Sequence, residues 1–113
     1  MIAQEWHSWT TLANADAYET VLRERILPRL ETRGIPGYRG VQVLRHMVDE
    51  AVETQDFASL RFKIILYFET VQHARTFGNF FLDIAHTAHP LLERFEPHPI
   101  HYAVAVRIDQ PQG

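Results

Sequence analysis

The stretch HTAHPLLERFEPHPIHY, residues 86 to 102, carries four histidines as two H-x-x-H pairs, His86 with His89 and His98 with His101. Two chemistries suit such residues. Neutral imidazoles at the right spacing ligate a metal ion, and a single imidazole, titrating nearest neutral pH, serves as a general base. Three residues apart on a helix, His86 and His89 share a face. His98 and His101 flank a strand start, where an odd offset sends side chains to opposite faces. Pro90, Pro97 and Pro99 stiffen the chain between the pairs, and no cysteine is present to complete a ligand set. The four histidines therefore do not read as one metal site, and no metal ligands are expected.

Composition narrows the setting. With 113 residues, 46% hydrophobic and 22% charged, the chain has the balance of one ordinary globular domain, expected over residues 1–109, with a disordered polar tail at 110–113. The absence of cysteine points to a reducing, cytoplasmic setting. The start MIAQEWHSWT has neither a basic nor an apolar leader region, and no run of eighteen apolar residues occurs, so neither secretion nor a membrane is expected. A net charge of -3, with Lys63 the single lysine, lacks the cationic stripe that nucleic acid demands.

The elements that must position the histidines follow from periodicity. Residues 1–10 read as a strand, and Asn14 or Asp16 can cap a helix with the stripe Tyr18, Val21, Leu22, Ile26 and Leu30, kinked or interrupted by Pro28. The glycines of RGIPGYRG follow a helix and precede a strand. That position suits a helix stop and turn, not a dinucleotide fingerprint. A strand over about 38–48, a hairpin-type connection at 49–56 and a long strand over about 57–69 come next. Thr70 can cap a second helix with Val71, Ala74, Phe77, Phe81, Ile84 or Ala85, and Ala88 on one stripe, with Gly78 as a break or kink and Pro90 closing or restarting it. IHYAVAVRI, residues 100–108, reads as the last strand.

This βαββαβ order predicts an α+β, ferredoxin-like fold with two helices on one face of a four-stranded antiparallel sheet. Two helices cover one face only. Because FKIILYF is apolar on both sides, the other face needs a cover, and a second copy of the chain supplies one. A homodimer with sheets face to face is expected.

Several segments together resemble the antibiotic biosynthesis monooxygenase-like family of the dimeric α+β barrel superfamily. They are EWHSWT in the first strand, ILPRL in the first helix, IPGYRGVQVLRH, ILYFETVQHARTFG, and LLERFEPHPIHYAV. Together they span nearly the whole chain. The resemblance implies a dimeric barrel with a pocket in each subunit between its helices and its sheet. Some members oxygenate planar, polyketide-type aromatics with no metal or flavin, and others degrade haem.

The haem-degrading branch uses an asparagine on strand one and a tryptophan and a histidine on helix two. The matching places here hold His7, Phe77 and His86. Only the histidine is kept, and it could ligate a haem iron.

A cofactor-free oxygenase needs an apolar pocket, a tuned base and excluded water. His86 is the first candidate base, since the apolar stripe of the second helix passes beside it; His7 and His101 follow. Trp9, Phe77, Phe81 and Tyr102 are the candidate pocket residues for a small apolar or aromatic ligand. His46, His73, His89 and His98 read as surface residues. A module that binds a small apolar ligand without catalysis, or simply dimerises, is one alternative reading, and a haem-binding or haem-degrading member is the other.

Overall fold

Ten consecutive residues of β1, Ile2–Thr11, pair antiparallel with ten of β3, Ser59–Phe68, from Ile2 opposite Phe68 to Thr11 opposite Ser59. This ladder is the centre of the sheet in the computed structural model, which describes residues 1–47 and 59–110. β2, Tyr38–Arg45, lies on the far edge of β3. Two short strands share the free edge of β1: β4, Leu92–Phe95, against Ser8–Thr10, and β5, Ile100–Ala103, against Ile2–Glu5. The order β2-β3-β1 followed by β4 and β5 is the expected ferredoxin-like sheet, open rather than closed, with its last strand split in two.

The split corrects the expected single strand at 100–108. Pro97 and Pro99 have no N–H to give a ladder, so pairing lapses between Phe95 and Ile100, where Glu96 N–H alone reaches back to His7 O. At the other end Ala103 is opposite Ile2, where β1 begins. Residues beyond it have almost nothing to pair with, and one bond from Val104 N–H to Met1 O closes the edge.

Above one face run the helices. The first begins as α1, Ala15–Val21, passes through a π-helical segment at Leu22–Ile26 and ends as α2, Leu27–Thr32. Pro28 explains the middle. Its ring cannot fit against the carbonyl four residues back, and the widened turn, with Leu27 N–H donating to Leu22 O five residues back, relieves that conflict without ending the helix. Asn14 occupies the N-cap position, but its side chain makes no capping bond.

Gly34 then takes a positive φ of 59°, one residue past the last turn, as a helix stop requires. Ile35-Pro36-Gly37-Tyr38 closes as a type II turn. Proline sits second, Gly37 has φ 73°, and Tyr38 N–H donates to Ile35 O.

α3, Val71–Ala85, starts where Thr70 accepts from His73 N–H. It runs unbroken through Gly78, contrary to the expected kink. A Cβ at that position would come only to 4.0 Å of Gln4 and Trp6, so nothing there bends the helix. A 3-10 turn, His86–Leu91, holds Pro90 and delivers the chain to β4.

The core lies between helices and sheet. Trp6, Phe62, Ile64, Leu66 and Phe68 from the strands meet Tyr18, Leu22, Ile26, Phe77 and Phe81 from the helices, all buried. The opposite face of β3 presents Arg61, Lys63, Ile65 and Tyr67, so it is apolar over its second half only. Val48, residues 57–58, the expected connection at 49–56 and residues 111–113 of the expected tail lie outside the described residues.

Candidate functional site

Alternation along β1 sorts the candidate residues. Gln4, Trp6, Ser8 and Thr10 point under the helices and are fully or almost fully buried, while Glu5, His7 and Trp9 point to the open face. β5 repeats the sorting. His101, opposite Gln4, lies on the helix side and Tyr102, opposite Ala3, on the open side. The residues singled out in the sequence thus divide, with Phe77, Phe81 and His101 on one side of the sheet and His7, Trp9 and Tyr102 on the other.

On the helix side a hydrogen-bonded chain crosses the core. Trp6 Nε1–H donates to Gln4 Oε1 at 2.8 Å, Gln4 Nε2–H donates to Ala74 O at 2.8 Å, and Gln4 Nε2 lies 3.1 Å from His101 Nε2. Burial, and then the nearby charge of Arg75, lower the pKa of His101 below its ordinary 6.5. Trp6 also packs tilted against Phe81 and stacks on Phe95, with ring centroids 4.9 and 6.0 Å away.

Phe95 leads to a cleft of about 540 Å³, walled by Leu82, Ala85, Phe95 and Pro97 and edged by Asp83, His86 and His89. The two imidazole centroids are 4.9 Å apart. His86 lines the rim of this cleft and is exposed, not tucked beneath the helix beside the buried stripe. The rotation explains why. At about 100° per residue His86 falls roughly 140° from Phe81 around the helix, and α3 tightens into the 3-10 turn at that residue.

Phe77 and Phe81 are core residues, as their spacing allows. Phe77 also touches a smaller cleft of about 350 Å³ on the other flank of α3, with Ile35, Phe80 and His73. His73, read as a surface residue, is half-buried. Its Nδ1 lies 2.9 Å from Thr70 Oγ1, and its ring occupies the space a side chain at Gly37 would need.

The open face is polar at its centre. Glu5 lies 3.5 Å from His7 Nε2 and 3.4 Å from Lys63 Nζ. Burial pushes the Glu5 carboxyl upward, but the neighbouring His7 ring and the charge of Lys63 together outweigh it and hold the pKa below 4.5. The 3.5 Å approach of His7 Nε2 to Glu5 is not a formed hydrogen bond, so this nitrogen is enclosed without a hydrogen-bond partner among the described residues. The guanidinium of Arg94 lies 4.4 Å, and that of Arg61 5.5 Å, from the Trp9 ring. Tyr102 is 49% exposed and does not line the helix-side cleft.

The positions matched to the haem-degrading set do not converge. His7 is on the open face, Phe77 in the core and His86 at the end of α3, so these residues do not form that arrangement. Among the described residues no three of histidine, cysteine, aspartate and glutamate group as a metal site. No described helix is long and apolar enough to cross a membrane.

Gln4 and Phe95 were not singled out in the sequence. A glutamine on the inward phase of an apolar strand was a usable signal for the first. Phe95 lacked one, because its strand is four residues long and ends before a proline-rich turn.

No family model matches the chain, and no curated protein matches it. Among solved structures the chain is similar to "Putative antibiotic biosynthesis monooxygenase from Nitrosomonas europaea", at 13% identity, a TM-score of 0.62, and coverage of 92% of this chain and 89% of that one. The two share the ferredoxin-like α+β fold.

Proposed function

We propose that the protein binds a small planar aromatic compound in the cleft between α3 and the split edge strand, and oxygenates it without a metal or an organic cofactor. The observation that carries this reading is the cleft itself. It is about 540 Å³, in the range of small-molecule sites, with apolar walls from Leu82, Ala85, Phe95 and Pro97, and with Asp83 and two imidazoles at its edge. The fold it shares with a protein described as a monooxygenase supports the reaction class.

In the proposed reaction His86 removes a proton from an anthrone-type ring carbon, leaving an electron-rich enolate that reduces dioxygen directly. One oxygen atom replaces the two hydrogens of the ring CH2 as a new carbonyl, and the other leaves as water. The protein's share is to orient the ring, take the proton and return it.

Oxygen uptake with an anthrone tests this, with wild type, His86→Ala and His7→Ala compared in air and under nitrogen. Uptake by wild type and His7→Ala, lost in His86→Ala, is expected. Equal uptake by all three would remove His86 from the reaction, and binding without uptake by any would favour a ligand-binding module.

The same reading gives the open face to a second copy of the chain. Leu44, Ile100 and Tyr102 are exposed there beside half-buried Ile65 and Tyr67. Glu5 stands beside Lys63, and Arg61 and Arg94 lie over Trp9 further along β1, so the face carries both signs of charge. A two-fold axis can match such a surface to itself.

A further inference from the structure

The buried amide of Gln4 can be oriented without ambiguity. Trp6 Nε1 only donates, so the Gln4 atom it meets, 2.8 Å away, is the oxygen. Ala74 O only accepts, so the atom 2.8 Å from it is the nitrogen. Two independent partners agree. The second N–H of the amide is then left for His101 Nε2 at 3.1 Å, and that ring nitrogen must accept.

An accepting Nε2 carries no proton, so neutral His101 holds its proton on Nδ1. A proton on Nε2 would set N–H against N–H inside a core where Gln4 is fully buried and cannot turn away without stranding Trp6 or Ala74. The groups facing the ring are uncharged Gln4 from β1 and cationic Arg75 from α3, and the latter also disfavours an imidazolium. Nδ1 has no partner among the described residues and is not sealed from solvent.

We propose that Gln4 is a positioning residue that fixes His101 as the Nδ1–H tautomer, so that His101 acts as a hydrogen-bond donor to an anionic oxygen of the ligand and not as a base. Arg75 supplies the positive charge beside this neutral donor. On α3, Arg75, Gly78, Leu82 and His86 follow one another at helical spacing along a single flank; Leu82 and His86 line the cleft, while Arg75, like His101, lies beyond its lining. Arg75 and His86 are roughly 16 Å apart along the axis, so the oxygen recognised belongs to the end of an elongated aromatic ligand away from His86. A carboxylate or phenolate has the required chemistry. This ligand role rests on the cleft being the binding site; the tautomer does not.

Long-range proton–nitrogen correlation spectra of the 15N-labelled protein test the first half. His101, identified by its loss in His101→Phe, is expected to show a protonated Nδ1 and an unprotonated Nε2 at neutral pH. In Gln4→Glu, where a carboxylate oxygen replaces the donor, the proton should move to Nε2. An Nε2–H tautomer in wild type overturns the assignment, whatever the variants do.

The second half is tested by the binding of 2-naphthoate against its methyl ester. The acid is expected to bind roughly tenfold better, as for one charge-assisted hydrogen bond, and to move the Nδ1–H signal downfield. His101→Phe should lose that preference. Equal affinity, no binding of either probe, or a preference unchanged in His101→Phe overturns the donor role. Absent oxygen uptake with the preference intact would sink the oxygenase reading and leave this one standing.

Discussion

His7 and His101 stand on opposite faces of one sheet, although their strands are hydrogen-bonded neighbours: His101 is opposite Gln4, and His7 lies three residues further along β1. The odd offset is decisive. One face holds a buried amide network and a cleft, the other an ionic cluster of Glu5, His7 and Lys63. Substitutions on the two faces should therefore have separable effects, on ligand in one case and on association in the other.

Association is the first test. Ile65 sits near the middle of the open face, beside Glu5 of β1 and Gln42 of β2. Wild type is expected to sediment as a dimer. Ile65→Asp should halve the mass while keeping the helical circular-dichroism signal, because its side chain points away from the core. A monomeric wild type would remove the second copy from the account.

Acid should weaken the fold through Glu5. Its carboxyl has a pKa held below 4.5 in the folded state, so the unfolded chain takes up the proton first as pH falls. The stabilisation is fully present above pH 4.5 and is lost as pH drops through the lower, folded value. Urea midpoints measured across that range should fall more steeply for wild type than for Glu5→Gln. Parallel slopes would mean the cluster contributes nothing.

Gly37 and His73 should couple. Gly37 has φ 73°, and a Cβ there would collide with the His73 ring, so Gly37→Ala meets both backbone strain and a clash. A loss of about 2 kcal/mol is expected, a drop in Tm of roughly 8 °C for a domain this size. His73→Ala on the Gly37→Ala background should restore part of it, since only the clash is relieved. Strict additivity in this double-mutant cycle would mean that backbone strain alone sets the cost.

Periodicity made most of the fold legible. The Tyr18, Leu22, Ile26, Leu30 stripe and the Phe77, Phe81, Ala85, Ala88 stripe both lie in the core, and Thr70 caps its helix. The misplaced features depend on partners distant in the chain. Where the last strand ends is decided by where β1 begins, and neither IHYAVAVRI nor its neighbours record that. Gly78 was read from its helix propensity alone, while its surroundings are Gln4 and Trp6, more than seventy residues earlier.

The site was less legible for a related reason. Residue type marked His7, His86 and His101 alike, and strand phase separated His7 from His101 only once it was known which face the helices cover. His86 was placed by proximity to an apolar stripe, but proximity in sequence is not angular position on a helix. Gln4 became meaningful only when Trp6, Ala74 and His101 were seen around it.

The central claim is that the helix-side cleft, and not the open sheet face, holds the ligand. Its most direct test is amide and methyl chemical-shift mapping of the 13C,15N-labelled protein titrated with 2-naphthoate. Shifts concentrated at Leu82, Ala85, Phe95 and His101 are predicted. Shifts concentrated instead at Trp9, Lys63, Ile65 and Tyr102 would contradict it.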